Sequence, residues 1–253
     1  MKKALLAHAV VAALTTFGAV SAASAASVTA NANVTTDYKF RGISQTNSGP
    51  AFQGGFDAAF DNGFYVGNWN SNVSFTGATG AGLEMDFYGG YAGEYKGIGY
   101  DVGALYYYYE GATIPAGSPE LNTLELYGKL SYAGAYAKVS YAASKDYFGL
   151  TAANGSIDQK GSIYTDLGYA YPLNDKITLN AHYGLTSYDK AINNTTVAGT
   201  NKSYSDYSLG ATYAFDKNYS VTAAYVDTNK KAEQLFGKDA TEGSLVVTLS
   251  AKF

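Results

Sequence analysis

No cysteine occurs among the 253 residues, which excludes disulfide stabilisation, thiol nucleophiles and every cysteine-based metal site. Histidine occurs twice, as His8 and His182. With one histidine beyond the first 26 residues and no calcium-type ligand spacing, neither a metal nor a cofactor is expected. No run of like charge is long enough for a nucleic-acid surface or a disordered tail. Past residue 26, no apolar run approaches the ~20 residues that a membrane helix needs. What remains is a chain whose information lies in its alternation.

The chain opens Met1-Lys2-Lys3, continues apolar from Ala4 to Val20, and reaches Ser21-Ala22-Ala23-Ser24-Ala25-Ala26. A basic start, a short apolar core and an A-x-A site predict a cleaved secretory signal peptide over 1–25 and one mature domain over 26–253. A membrane anchor is the competing reading. The short core, His8 within it and the missing stop-transfer charge argue against that anchor. Taking Lys2 and Lys3 from the 17 basic residues leaves 15 against 21 acidic ones, a mature net charge of −6.

Val28, Ala30, Ala32, Val34, Thr36, Tyr38 and Phe40 alternate with Thr29, Asn31, Asn33, Thr35, Asp37, Lys39 and Arg41. This period of two predicts one strand of about 14 residues with an apolar and a polar face, long enough to cross a membrane at a tilt. The pattern recurs to the C-terminus, about twelve strands in all. In the third, Tyr65, Trp69, Val73 and Phe75 read as the apolar face, opposite Asn68, Asn70, Asn72 and Ser74.

Tight turns fall at Asp61-Asn62-Gly63, Lys96-Gly97, Ala133-Gly134, Leu173-Asn174-Asp175 and Asp216-Lys217-Asn218. Asn62-Gly63 is a hairpin signal, because a type I′ turn needs positive φ at both central residues. Longer connections lie near 43–50, 76–82, 110–122, 147–161, 189–202 and 228–242. Strict alternation of long and short predicts a transmembrane antiparallel up-and-down β-barrel with short periplasmic turns and long extracellular loops. Apolar-face aromatics gather at the short turns (Phe60, Tyr65, Tyr95, Tyr100, Tyr132, Tyr171, Phe215, Tyr219 and Phe253), as an interfacial belt would. The alternative is a soluble β-sandwich or lipocalin-like barrel, which turns its apolar face inward and needs no belt.

Leu245, Val247, Leu249, Ala251 and the terminal Phe253 share one face of the last strand. They resemble the C-terminal signal by which outer-membrane barrels reach their assembly machinery, which implies that machinery and outer-membrane lipid as partners. Near the start stand Thr35-Thr36-Asp37-Tyr38-Lys39-Phe40-Arg41-Gly42-Ile43-Ser44-Gln45-Thr46, Pro50-Ala51 and Gln53-Gly54-Gly55-Phe56-Asp57. Gly63-Phe64-Tyr65-Val66-Gly67, Trp69 and Ser71-Asn72-Val73 follow. This block is similar to the TorF-type porins, over roughly the first 45 residues of the mature chain. The resemblance implies an outer-membrane barrel acting as a pore, and it brings no functional residues with it.

The polar face becomes the interior. The candidate pore-lining residues are Asp37, Lys39, Arg41, Asp57, Glu84, Asp86, Glu94, Asp101, Tyr107, Glu125, Lys129, Lys138, Asp166, His182 and Asp206, together with Asn68, Asn70, Asn180 and Lys252. Tyr88, Tyr109, Tyr127, Tyr136 and Tyr164 join them and offer narrowing or stacking faces. Carboxylates outnumber bases, so a mildly cation-preferring passage for small polar solutes or ions is one reading. Internal pairing that fills the lumen is the other, and strand number does not decide between them. An outer-membrane hydrolase needs a Ser/His pair, and the lone His182 sits mid-strand on the polar face, away from the long loops. A closed anchor barrel using its loops for surface contact is the third reading. Asn194-Thr195-Thr196 matches a glycosylation sequon, and Gly89-Gly90 and Gly97–Gly99 lack the helix a phosphate loop requires, so neither carries a function.

Overall fold

The computed structural model describes residues 27–74, 80–113, 118–193 and 200–253. The expected signal peptide, Phe75 and the sequon at 194–196 lie outside the described residues. The chain forms β1 (Ser27–Thr35), a small hairpin of β2 (Lys39–Phe40) and β3 (Ile43–Ser44), then β4 (Ala51–Ala59), β5 (Phe64–Asn72) and β6 (Leu83–Tyr95). It continues with β7 (Ile98–Glu110), β8 (Thr123–Tyr132), β9 (Ala135–Ala142), β10 (Ile163–Pro172) and β11 (Ile177–Asn193). Last come β12 (Thr200–Ala214), β13 (Tyr219–Thr228), helices α1 (Lys230–Phe236) and α2 (Lys238–Thr241), and β14 (Ser244–Lys252).

β1 and β4 to β14 close into one antiparallel barrel of twelve strands, in which β1 pairs with both β4 and β14. Closure registers Asn31 on Lys252 and Val34 on Leu249. Ala30 and Phe253 exchange backbone hydrogen bonds of 3.0 and 2.9 Å across the seam. Leaving no open edge satisfies every strand's backbone groups, the condition for standing in hydrocarbon. No described helix is long and apolar enough to cross a membrane.

The polarity is inverted relative to a soluble protein. Leu209 and Phe52 are each 69% exposed on the outer wall, while Glu84 and Glu125 are each 1% exposed within. The outward residues are those of the predicted apolar face in β1, β4, β6 to β14. The five tight turns join strands as expected, and Lys96-Gly97 and Ala133-Gly134 take positive φ at both positions. The Asn62-Gly63 turn differs. Only Gly63 is left-handed, and Asn62 instead accepts the Phe64 amide on its Oδ1 at 3.2 Å.

Four expectations are corrected. The strand expected to run to Arg41 ends at Thr35: Thr36 still exchanges bonds with Val247, but Asp37 then gathers the hydroxyls of Ser44 and Thr46 and turns the chain inward. β5 has its faces reversed, because Trp69 is in register with Asp86 and Ser71 with Glu84. Tyr65 and Trp69 therefore point inward and leave the aromatic belt, while Asn68 and Asn70 point outward. These two amides donate to the carbonyls of Asp86 and Gly54, and Asn70 Nδ2 also donates to Asn68 Oδ1, which gives their N–H groups partners on an apolar wall. The connection expected at 189–202 is mostly strand, since β11 runs on to Asn193 and β12 starts at Thr200. The stretch expected as the loop 228–242 folds into two short helices, the first capped by the Asn229 side chain on Ala232 N.

Candidate functional site

Alternation places every second residue of each strand in the interior, and the first feature built there is a set of tyrosine–aspartate pairs. Tyr88 donates to Asp57 Oδ1 at 2.6 Å, Tyr65 to Asp101 Oδ1 at 2.6 Å, and Tyr136 to Asp166 Oδ1 at 3.0 Å. Tyr65 and Tyr127 also share a hydrogen bond between their hydroxyls. Each phenol reaches over a glycine: a Cβ on Gly67 would meet the Tyr88 ring at 2.4 Å, and one on Gly168 the Tyr136 ring at 2.1 Å. Those glycines provide the room through which the rings lean across the neighbouring strand. Lys129 and Lys138 are in register on β8 and β9, with their ammonium groups 4.7 Å from the Tyr136 ring and 4.4 Å from the Tyr127 ring.

A second group centres on His182 of β11. Its Nδ1 lies 2.9 Å from Asp166 and its Nε2 2.7 Å from Asp206, with the Tyr164 hydroxyl 3.3 Å from Nε2. Tyr164 also donates to Asp206 at 3.2 Å. Both ring nitrogens are thus engaged by carboxylates from the flanking strands, which leaves neither to activate a nucleophile.

The third feature is the β2–β3 hairpin, which folds from the long-loop end into the barrel. Its turn is Arg41-Gly42, with φ of 49° and 79°, the two-residue geometry that favours glycine at the second position. From that turn Arg41 Nη2 reaches both carboxylate oxygens of Glu125 at 2.7 and 2.8 Å, and Nη1 donates to the Tyr147 hydroxyl at 2.5 Å. The guanidinium stands 4.2 Å from the Tyr164 ring and 4.7 Å from Phe40. Tyr107 adds a donor to Glu125 at 3.2 Å. At the hairpin's base Tyr38 donates to Glu84 at 2.7 Å and packs edge-on against Trp69 at 5.4 Å. Burial, then the nearby Glu84 and Asp86, raise the Tyr38 phenol well above its ordinary pKa, so it stays a donor. Lys39 holds Asp37 at 3.4 Å and the Glu242 carbonyl at 3.1 Å, tying the hairpin to the end of α2.

Most of the expected interior residues are inside, by two routes, and Asn68 and Asn70 are outside as described above. Asp57, Glu84, Asp86, Asp101, Tyr107, Glu125, Lys129, Lys138, Asp166, His182 and Asp206 project from the wall. Asp37, Lys39 and Arg41 arrive on the hairpin, whereas Glu94 lies exposed beside the short turn after β6. Sequence reasoning missed Tyr38, Tyr65, Trp69, Tyr147 and Tyr204 as interior groups. The Arg41-Gly42 step between Lys39-Phe40 and Ile43-Ser44 is the signal that could have found the hairpin. Leu245, Val247, Leu249, Ala251 and Phe253 line the outer face of β14, with Phe253 edge-on to Tyr219 at 6.4 Å.

A family model described as a bacterial protein of unknown function (Gcw_chp) matches residues 19–253. The fold is similar to that of the KdgM porin, with a TM-score of 0.52 at 8% identity over 89% of this chain and 98% of that one. It is similar also to the NanC porin in a rhombohedral crystal form, with a TM-score of 0.55 at 12% identity over 90% of this chain and 99% of that one. At such identities the likeness is one of fold. No curated protein matches the chain.

Proposed function

We propose that this chain, which belongs to the Gcw_chp family, is an outer-membrane channel for passive diffusion of small polar solutes or ions, with a mild preference for cations. A cleaved signal peptide exports it, the C-terminal strand hands it to the barrel-assembly machinery, and the long connections face the outside. The observation that carries this reading is the inversion of polarity in a closed barrel: apolar side chains outside, ionisable ones within. The porin identity of KdgM and NanC supports it, and the TorF-type resemblance of the first strands agrees with it. Asp57, Glu84, Asp86, Asp101, Glu125, Asp166 and Asp206 against Arg41, Lys129 and Lys138 support the cation preference.

The Arg41–Glu125 contact favours a second reading, in which the inserted hairpin closes the barrel and the protein serves as an anchor with surface-contact loops. Planar-bilayer recording of the refolded protein separates the two. Stable single-channel steps, with a reversal potential displaced toward the cation in a salt gradient, are the expected result. A barrel that inserts and never conducts would sink the channel.

A further inference from the structure

On the long-loop side of the hairpin lies a cavity of about 260 Å³. Six aromatic rings form an unbroken chain of contacts around it. Phe40 meets Phe148 at 5.3 Å, Phe148 meets Tyr147 at 4.7 Å, and Tyr147 meets Tyr188 at 6.3 Å. Tyr188 meets Tyr204 at 6.3 Å, and Tyr204 meets Phe236 at 5.6 Å. These rings come from four separate parts of the fold: the hairpin, the connection after β9, the long-loop ends of β11 and β12, and the end of α1. Tyr147 is 1% exposed and Tyr188 and Tyr204 are each 3% exposed, so the walls are set by packing.

The chemistry of the cavity differs from that of the lumen below it. Arg41 is the one formally charged side chain lining it among the described residues, and its charge is met by both oxygens of Glu125. Two polar side chains on the hairpin side are engaged within the protein. Ser44 Oγ donates to Asp37 at 2.7 Å, and Gln45 Nε2 donates to the Ile43 carbonyl at 2.9 Å. Thr186 Oγ1 is a buried lining hydroxyl without a hydrogen-bond partner, so the wall offers a place for one hydroxyl or amine. A polyol would bring several, and a carboxylate would meet a cation already neutralised. A flat apolar ring loses little on leaving water and gains edge-to-face contacts on several sides. An apolar cavity of roughly 150 Å³ takes a benzene, so this one has room for a substituted single ring or a fused pair.

We propose that this aromatic vestibule binds a small uncharged aromatic compound carrying at most one hydroxyl or amine. The proposal deepens the channel reading by naming a solute class, and rests on that reading for passage but not for binding. The test uses the folded full-length protein in nanodiscs, with 4-fluorobenzyl alcohol as the probe and its fluorine resonance as the readout. Saturable broadening by the wild type is expected, with none for 4-fluorobenzoate or fluoroglucose. Ala240→Trp fills the cavity from α2, and Phe236→Ala removes one ring from the end of α1. Each should weaken binding by roughly tenfold. Heat-modifiable migration on gels confirms that each variant is folded, and Phe236→Ala carries the test if Ala240→Trp does not fold. Absence of saturable binding to the wild type, equal binding by the folded variants, or preference for the sugar or the carboxylate would overturn the proposal. Bilayer recordings on the same preparation keep the two readings apart. Binding without conductance removes the channel and leaves the site, and conductance without binding removes the site.

Discussion

Arg41 and Glu125, 84 residues apart in the chain, meet inside the barrel as a two-pronged ion pair at 2.7 and 2.8 Å. Both side chains are almost wholly withdrawn from solvent, at 7% and 1% exposure. Such a pair fixes geometry more surely than it adds net stability, since desolvation offsets much of the attraction. Removing one partner is a different matter, because it strands a buried charge. Arg41→Ala should destabilise the barrel by about 3–5 kcal/mol, and Arg41→Ala with Glu125→Gln by clearly less. Urea unfolding of the refolded proteins reads both. The double variant should also show larger single-channel steps than the wild type. Steps of unchanged size would mean that the hairpin does not set the width of the passage.

Gly42 makes the same hairpin testable through its backbone. Its φ is 79°, and a Cβ there would stand 2.4 Å from Thr228 Cγ2 and 2.7 Å from Asp206 Cβ. Alanine must therefore accept a left-handed conformation at about 1–2 kcal/mol and also push the hairpin tip off the β12–β13 wall. Gly42→Ala should lower stability and raise the variance of the open-channel current, while barrel content measured by circular dichroism stays the same. A quiet, wild-type current from this variant would show that the tip is free of the wall.

Lys129 and Lys138 test the electrostatic half of the channel reading. They are in register and each rests over a tyrosine ring, with no carboxylate within ion-pair distance among the described residues. In a narrow lumen their charge offsets the carboxylates opposite. Changing both to glutamine should move the reversal potential in a potassium chloride gradient further toward potassium. The shift should shrink at high salt, as screening requires. A reversal potential that does not move would place the ion path elsewhere.

The wall of this barrel is legible in the period-two pattern, because an apolar exterior and a polar interior impose opposite demands on successive residues. The facing of the last strand follows directly from Leu245, Val247, Leu249, Ala251 and Phe253, while its register emerges only from the pairing with β1 and β13. Where the pattern misleads, a polar group has found a partner that alternation cannot register. Asn68 and Asn70 read as interior yet lie on the outside, their amides bonded to the carbonyls of Asp86 and Gly54. Tyr38 and Phe40 read as lipid-facing because they continue the alternation of β1, but the chain has already left the wall at Asp37. The Glu125 partner of Arg41 and the Tyr147 above it are long-range contacts, and no local pattern announces them. His182 is the intermediate case: its inward position is readable from strand parity, while the carboxylates on both sides emerge only from the pairing of β10, β11 and β12.

The assignment of faces itself can be tried on β12. Leu209 is 69% exposed at the middle of the apolar belt, in register with Ala181 and Tyr225, so its side chain stands in hydrocarbon if the barrel spans a membrane. Arginine there should destabilise the barrel by about 2–4 kcal/mol, the range for a basic residue at the bilayer midplane. Thr248 is the inward counterpart on β14, its hydroxyl 2.9 Å from that of Thr35. Lysine at that position loses one hydrogen bond of about 1 kcal/mol and keeps its charge within a polar lumen. Unfolding in lipid vesicles should therefore rank wild type, Thr248→Lys and Leu209→Arg in falling order of stability, with Leu209→Arg also the slowest to fold. In a soluble barrel with a wet exterior the ranking would reverse, since an exposed arginine is harmless there and an inward lysine is not.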